Sequence, residues 1–221
     1  MKVSIHSLYW NNTSDLAELH KSVTKHLEVP VHYHNADGMP HGHFCNEIMR
    51  LDDSDIIGFM DIDCVPTNKN IVDRCIYWAS DNDSFIGLAQ SSNHIKPAIH
   101  VSAACTFYFI TKNCYEYLGK PSFLENARSD VSKEISHIAD EKGKTYRSIY
   151  PLCYDREPSE GKWRLNNYGY FGIGTYYPGG IYNLFQGRYA ENNTLFDKRC
   201  QQIIDGTFTT EGMISCTEYN S

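Results

Sequence analysis

Residues 56–60, Ile-Ile-Gly-Phe-Met, place no polar side chain on either side of a strand, and Asp61, Ile62 and Asp63 follow at once. A strand apolar on both sides belongs inside a sheet covered by helices on its two faces. Such a sheet demands alternation of strands and helices, and the flanking sequence supplies it. Residues 2–9 read as a strand. Thr13-Ser14-Asp15 then opens a helix with Leu16, Leu19, Val23 and Leu27 on one side, Glu18 completes an Asp-x-x-Glu start signal, and Pro30 closes it. Residues 31–35 form a second strand, Asp37-Gly38-Met39-Pro40 a turn, and residues 44–51 a second helix. A loop covers 61–67, Asn68 caps a helix carrying Ile71, Val72, Cys75, Ile76 and Ala79, and 84–88 is a further strand. The expected fold is α/β, with a mostly parallel central sheet flanked by helices.

Beyond residue 90 the rhythm changes. Residues 101–110 are β-prone, 113–118 form a short helix, 129–141 a clearer one, and 146–154 read as strand. The stretch 155–187 is rich in Gly, Tyr and Asn, a composition that favours loops with aromatic walls. No internal repeat interrupts the chain.

Charge narrows the function. The net charge is −7, and no run of Lys or Arg offers the footprint that a phosphate backbone requires, so nucleic acid is not an expected partner. A small anionic substrate needs a cation supplied locally. The eight cysteines form no C-x-x-C pair, which fits reduced thiols and a cytoplasmic location. The first residues lack the features of a secretory signal, so the sequons at Asn11, Asn12 and Asn192 read as chance. Apolar runs are too short to span a membrane, and the chain is expected to be soluble.

Asp61 and Asp63 stand at the carboxyl end of a strand, where open α/β sheets bind ligands. Two acids one residue apart suit a hard divalent cation such as Mn²⁺ or Mg²⁺, with phosphate oxygens completing its shell. Asp-x-Asp also occurs in ordinary surface loops. A calcium hand counted from Asp61 fails, because Pro66 and Val72 occupy the positions that need Gly and Glu. A phosphoryl-transfer aspartate fits less well, since Cys64-Val65-Pro66 is rigid and offers one amide fewer to a phosphate.

The stretch DIIGFMDIDCVPTN, preceded by HGHFCNEIMRLDDS, resembles the centre of GT-A fold glycosyltransferases, in which an Asp-x-Asp motif holds a divalent metal on the diphosphate of a nucleotide sugar. The resemblance is good over 1–90 and looser over 91–190. It implies a GT-A catalytic domain at 1–190, with a nucleotide-binding half (1–90) and a sugar and acceptor half (91–190), and a C-terminal extension at 191–221. The implied reaction moves a hexose from a nucleoside diphosphate sugar, UDP-linked in the first instance, to a carbohydrate or other hydroxyl acceptor.

Residue by residue, the resemblance makes Asp63 the direct metal ligand and lets Asp61 meet the metal, its water or the ribose. Tyr9 or Trp10 would flank the base, Asn35 and Asp37 reach base or ribose, and His41, His43 and Asn46 approach the donor. Tyr9 and Trp10 would equally serve as packing for the first helix, and Asn35 and Asp37 as turn residues. Asp130, at the start of the 129–141 helix, corresponds to the acid that takes the acceptor's proton in inverting members, although a helix's first turn favours an acid in any case. His100, Ser102 and Ala104 are candidates for the sugar pocket. In IYNLFQGRYAENN, Asn183 and Gln186 stand where relatives place a metal-binding His, and Arg188 is a candidate phosphate ligand. Trp163, Tyr168, Tyr170 and Tyr176 are acceptor-site candidates by stacking. Two alternatives stay open: a sugar-phosphate nucleotidyltransferase, whose usual Gly-rich loop has no counterpart in LYWNNTSD, and a non-catalytic, metal-dependent binder of carbohydrate or nucleotide sugar.

Overall fold

Two larger sheets and one two-stranded sheet organise the chain in the computed structural model, which describes residues 1–92, 100–161, 163–187 and 189–217. The first half contains β1 (Val3–Tyr9), α1 (Ser14–His26), β2 (His32–Asn35), α2 (His41–Leu51), β3 (Ile56–Met60), β4 (Cys64–Pro66), α3 (Lys69–Asp81) and β5 (Phe85–Gln90). Next come β6 (Ser102–Thr111), α4 (Lys112–Tyr117), α5 (Lys133–Glu141), β7 (Arg147–Ile149) and β8 (Cys153–Arg156). The remainder holds β9 (Trp163–Leu165), β10 (Gly169–Phe171), β11 (Ile173–Tyr177), β12 (Ile181–Asn183), α6 (Ala190–Ile204) and β13 (Ile214–Ser215).

The larger sheet has the order β2-β1-β3-β6-β5-β7. Strand β1 runs parallel to β2 and β3, and β5 parallel to β7, while β6 runs the other way between β3 and β5. The sheet is therefore mostly parallel, and helices cover both of its faces. Side-chain alternation along β3 explains how: Ile57 and Phe59 pack with Phe44, Cys45 and Met49 of α2 and Ile135 of α5, whereas Ile56 and Met60 pack with Ile71, Val72 and Cys75 of α3. Gly58 sits between them because a Cβ there would lie 2.7 Å from the Phe109 ring.

The smaller sheet, β13-β8-β11-β12-β4, is antiparallel throughout. It packs on α1 and α6, where Leu16, Ala17 and Val23 meet Phe196, Cys200 and Ile203. The segment expected as an extension from 191 thus buries a core of its own against the first helix, with Phe196 fully buried. Burial of a side chain that size contributes about 2–3 kcal/mol.

Several local expectations change. The 61–67 loop contains β4, which exists only because β12 pairs with it from far down the chain. The expected loops of 155–187 contain short strands. Helix α2 starts at His41, after Pro40 in an extended conformation, rather than at 44. Helix α5 starts at Lys133 rather than 129, because Ser132 adopts φ 65°. The Asp15/Glu18 start signal is not used: Glu18 bonds Lys21 Nζ at 2.7 Å, and α1 follows a single 3-10 turn. The Asn68 cap does form, its Oδ1 accepting from Ile71 N at 3.2 Å. All eight cysteines are unpaired. Among the described residues no helix is long and apolar enough to cross a membrane.

Candidate functional site

The chain passes from the larger sheet to the smaller one through Asp61-Ile62-Asp63. Asp61 N donates to Thr106 O at 2.8 Å, still on the β6 side, and Leu184 N donates to Asp63 O at 2.8 Å, already on the β12 side. Ile62 packs into the α1/α6 core, and both carboxylates line a cavity of about 310 Å³ beside it. Gly187 brings its backbone against Asp63: its N donates to Asp63 Oδ2 at 3.3 Å, and a Cβ on Gly187 would press to 3.0 Å from the same oxygen.

Electrostatics favour a positive guest. Burial pushes both carboxyls up from the usual range, and the charge of Asp61 helps carry Asp63 up to about 7. His41 partly relieves Asp61, with Nε2 3.2 Å from its Oδ1. Burial opposes protonation of that imidazole, yet the neighbouring acids, Asp61 first, leave its pKa raised. Two carboxylates that resist ionising together fit a hard divalent cation, which removes their repulsion. Asp61 and Asp63 would hold Mn²⁺ or Mg²⁺. Gln186 stands at the rim of the same cavity with Nε2 donating to Glu160 Oε1 at 2.8 Å.

The other nucleotide-side candidates divide. Tyr9 and Trp10 line the cavity; Lys21 Nζ lies 4.8 Å over the Tyr9 ring, and Trp10 Nε1 donates to Met39 O at 3.0 Å. Asn35 and Asp37 do not line it. They hold Asn11, through Asn35 Nδ2 to Asn11 Oδ1 and Asn11 N to Asp37 Oδ1, both 3.1 Å, and so tie together the turns after β1 and β2. His43 is exposed, because two residues along a helix turn a side chain to the far face; His41 faces the site instead. Asn46 is also elsewhere: its Oδ1 accepts from Phe123 N at 3.0 Å and its Nδ2 donates to Ser122 Oγ at 3.1 Å, securing a loop. Asn183 is fully buried in β12. Arg188 lies outside the described residues.

A smaller cavity of about 140 Å³ shares His41 and Asp61 with the first and is lined also by Asp130, Lys133, Ser102 and Ala104. Asp130 precedes α5 rather than lying within it, and its Oδ1 accepts from Val131 N at 2.8 Å. His100 turns away, Nε2 meeting Asp140 Oδ2 at 2.8 Å. Lys133, only 3% exposed, escaped sequence reasoning. Burial lowers its pKa while Asp130 opposes that shift. The signal was a cation in the first turn of a helix, against the dipole. Of the aromatic candidates, Trp163 packs on Phe171 and Phe185 at 5.5 and 5.8 Å, and Tyr176 on Phe208 at 5.5 Å. Tyr168 donates its hydroxyl to Pro151 O at 2.7 Å. These three serve the packing of the smaller sheet and the β9–β10 hairpin.

No protein-family model and no curated protein matches the chain. Solved structures of similar fold include the mannosyltransferase PcManGT from Pyrobaculum calidifontis in complex with GDP-Man and Mn²⁺, at 13% identity over 66% of this chain and 54% of that one, TM-score 0.46. S. aureus TarS 1-349 in complex with UDP-GlcNAc is similar at 13% identity over 63% of this chain and 53% of its own, TM-score 0.42. The 2-C-methyl-D-erythritol 4-phosphate cytidylyltransferase of Thermus thermophilus is similar at 9% identity over 68% and 89%, TM-score 0.42. The chain spans about half the length of the first two.

Proposed function

We propose that the chain is a metal-dependent glycosyltransferase, moving a hexose from a nucleoside diphosphate sugar, UDP-linked in the first instance, to a hydroxyl acceptor. The observation that carries the reading is the convergence of Asp61 and Asp63 in a cavity walled on its other side by Tyr9 and Trp10. A divalent cation bound there supplies charge stabilisation for a departing diphosphate. Asp63 and Asp61 bind and orient that end of the donor, Tyr9 and Trp10 offer flat surfaces to the base, and Asp130 receives the acceptor's proton in the adjoining cavity. Lys133 contributes the local positive charge that an acidic protein needs around an anionic donor. The nucleotidyltransferase alternative is disfavoured by the turn after β1, where Asn11–Thr13 makes one 3-10 turn without glycine.

Thermal unfolding with UDP, with and without Mn²⁺, tests the reading. Saturating UDP at about a hundred times its Kd should stabilise the chain by about 2.7 kcal/mol, or on the order of 5–10 °C, only when Mn²⁺ is present. Asp63→Ala should abolish this response. In turnover assays with UDP-hexoses, Asp130→Asn should slow transfer by about 10²-fold with the metal-linked shift intact. Stabilisation by UDP without metal, or pyrophosphate release from UTP and a sugar phosphate, would sink the proposal.

A further inference from the structure

Beside Asp61, three side chains that ligate soft metals converge. His41 and Cys45 are four residues apart on α2 and share a helix face, and Cys105 projects from β6 next to them. One ring nitrogen and the two sulfurs lie within 4.8 Å of one another. Around a tetrahedral Zn²⁺ such atoms stand roughly 3.5–3.8 Å apart, given bond lengths of about 2.0–2.3 Å. Closing the difference takes about 1 Å, within reach of small side-chain rotations. Cys45 is fully buried and Cys105 nearly so, while His41 and Cys105 line the 140 Å³ cavity, which provides a way in. Supporting groups are in position. Ser132 Oγ accepts from Cys105 N at 3.1 Å, and Asp61 Oδ1 stands 3.2 Å from His41 Nε2, where the carboxylate orients the imidazole.

We propose that His41, Cys45 and Cys105 form a binding site for a thiophilic divalent cation of the Zn²⁺ class, separate from the hard-cation pair of Asp61 and Asp63. On binding, two S–H bonds break, two metal–sulfur bonds form, and two protons leave to solvent with no change of oxidation state. The two thiolates neutralise the dication, so the buried complex avoids the cost of an isolated charge. Ligand softness keeps the two sites distinct, since Mn²⁺ and Mg²⁺ prefer oxygen and Zn²⁺ accepts sulfur. This site does not rest on the donor reading.

Cobalt is the probe, added as Co²⁺ to the full chain kept reduced with a phosphine. One equivalent should give a thiolate-to-cobalt charge-transfer band and intense tetrahedral d–d absorption, which one equivalent of Zn²⁺ abolishes and excess Mn²⁺ leaves. Zn²⁺ addition should release about two protons per metal. Cys105→Ser should remove about half of the charge-transfer intensity and weaken binding by about 10-fold or more. His41→Ala, at a partly exposed helix start, should weaken it similarly and serves if the Cys105 variant does not fold. Asp63→Ala should keep the band, which separates failure of this site from failure of the donor site. No charge-transfer band in the reduced chain, a band unchanged in both ligand variants, or isolation of Cys45 and Cys105 as a disulfide under thiol-blocking conditions would overturn the assignment.

Discussion

The two sheets are held by different physics. In the larger one, β3 and β6 bury aliphatic and aromatic side chains on both faces, and Phe107, Tyr108, Phe109 and Ile110 are each fully buried. The smaller one is assembled from strands of two to five residues around a polar knot. There Asp155 accepts from Tyr182 Oη at 2.9 Å and from Arg199 Nε at 3.2 Å, with Arg199 Nη2 on its other oxygen. Arg199 and Asp155 expose only 8% and 13% of their side chains. Apolar burial is tolerant of detail, whereas a buried ion pair depends on both partners. The lesson is that α6 is held to the smaller sheet by one arginine as well as by the apolar packing of Phe196, Cys200 and Ile203.

The sharpest way to break this comparison is to remove that arginine. Arg199→Met should destabilise the chain by about 3–5 kcal/mol in urea unfolding, because Asp155 is left charged and buried, and adding Asp155→Leu should restore most of the loss. Acid should act next. Burial lowers the His20 imidazole to about 4, and His6 likewise, from the ordinary 6.5. Between those values the unfolded chain takes up protons that the folded chain refuses. The stability these two histidines contribute is therefore complete above pH 6.5 and is lost as the pH drops toward 4, by roughly 3 kcal/mol for His20 alone, while Asp63, raised to about 7, contributes in the opposite sense as the pH falls. His20→Gln should flatten that slope in a pH series of unfolding curves. The smallest effect is expected in the larger sheet, where Gly58→Ala presses a methyl group on the Phe109 ring and should cost about 1–3 kcal/mol by the same unfolding measurement. A larger loss from Gly58→Ala than from Arg199→Met would invert the comparison.

The same division explains what the sequence could say. Strands β1, β3 and β6 and the Asn68 cap were legible because each carries its signal locally: a run of apolar residues, or a capping side chain three residues before its partner. Asp61 and Asp63 were legible as a pair because they end such a run. Strand β4 was not, since Cys64–Pro66 becomes a strand only when Ile181–Asn183 arrives beside it. Neither was β11, where Gly172 just before the strand and Gly174 within it interrupt any alternation and are needed because a Cβ would lie 2.5 Å from Arg156 O or from Asp155 Oδ2, respectively. Choosing between His41 and His43 required the exact start of α2, which Pro40 sets. Lys133 required knowing that residues 130–132 are not helical.

The crossing at residues 61–63 has a mechanical consequence. Asp61 carries the last backbone hydrogen bond of one layer and Asp63 the first of the next, with Cys64 N donating to Asp61 O at 2.9 Å to close the turn between them. A guest that gripped both acids would therefore brace the junction where one layer passes into the other.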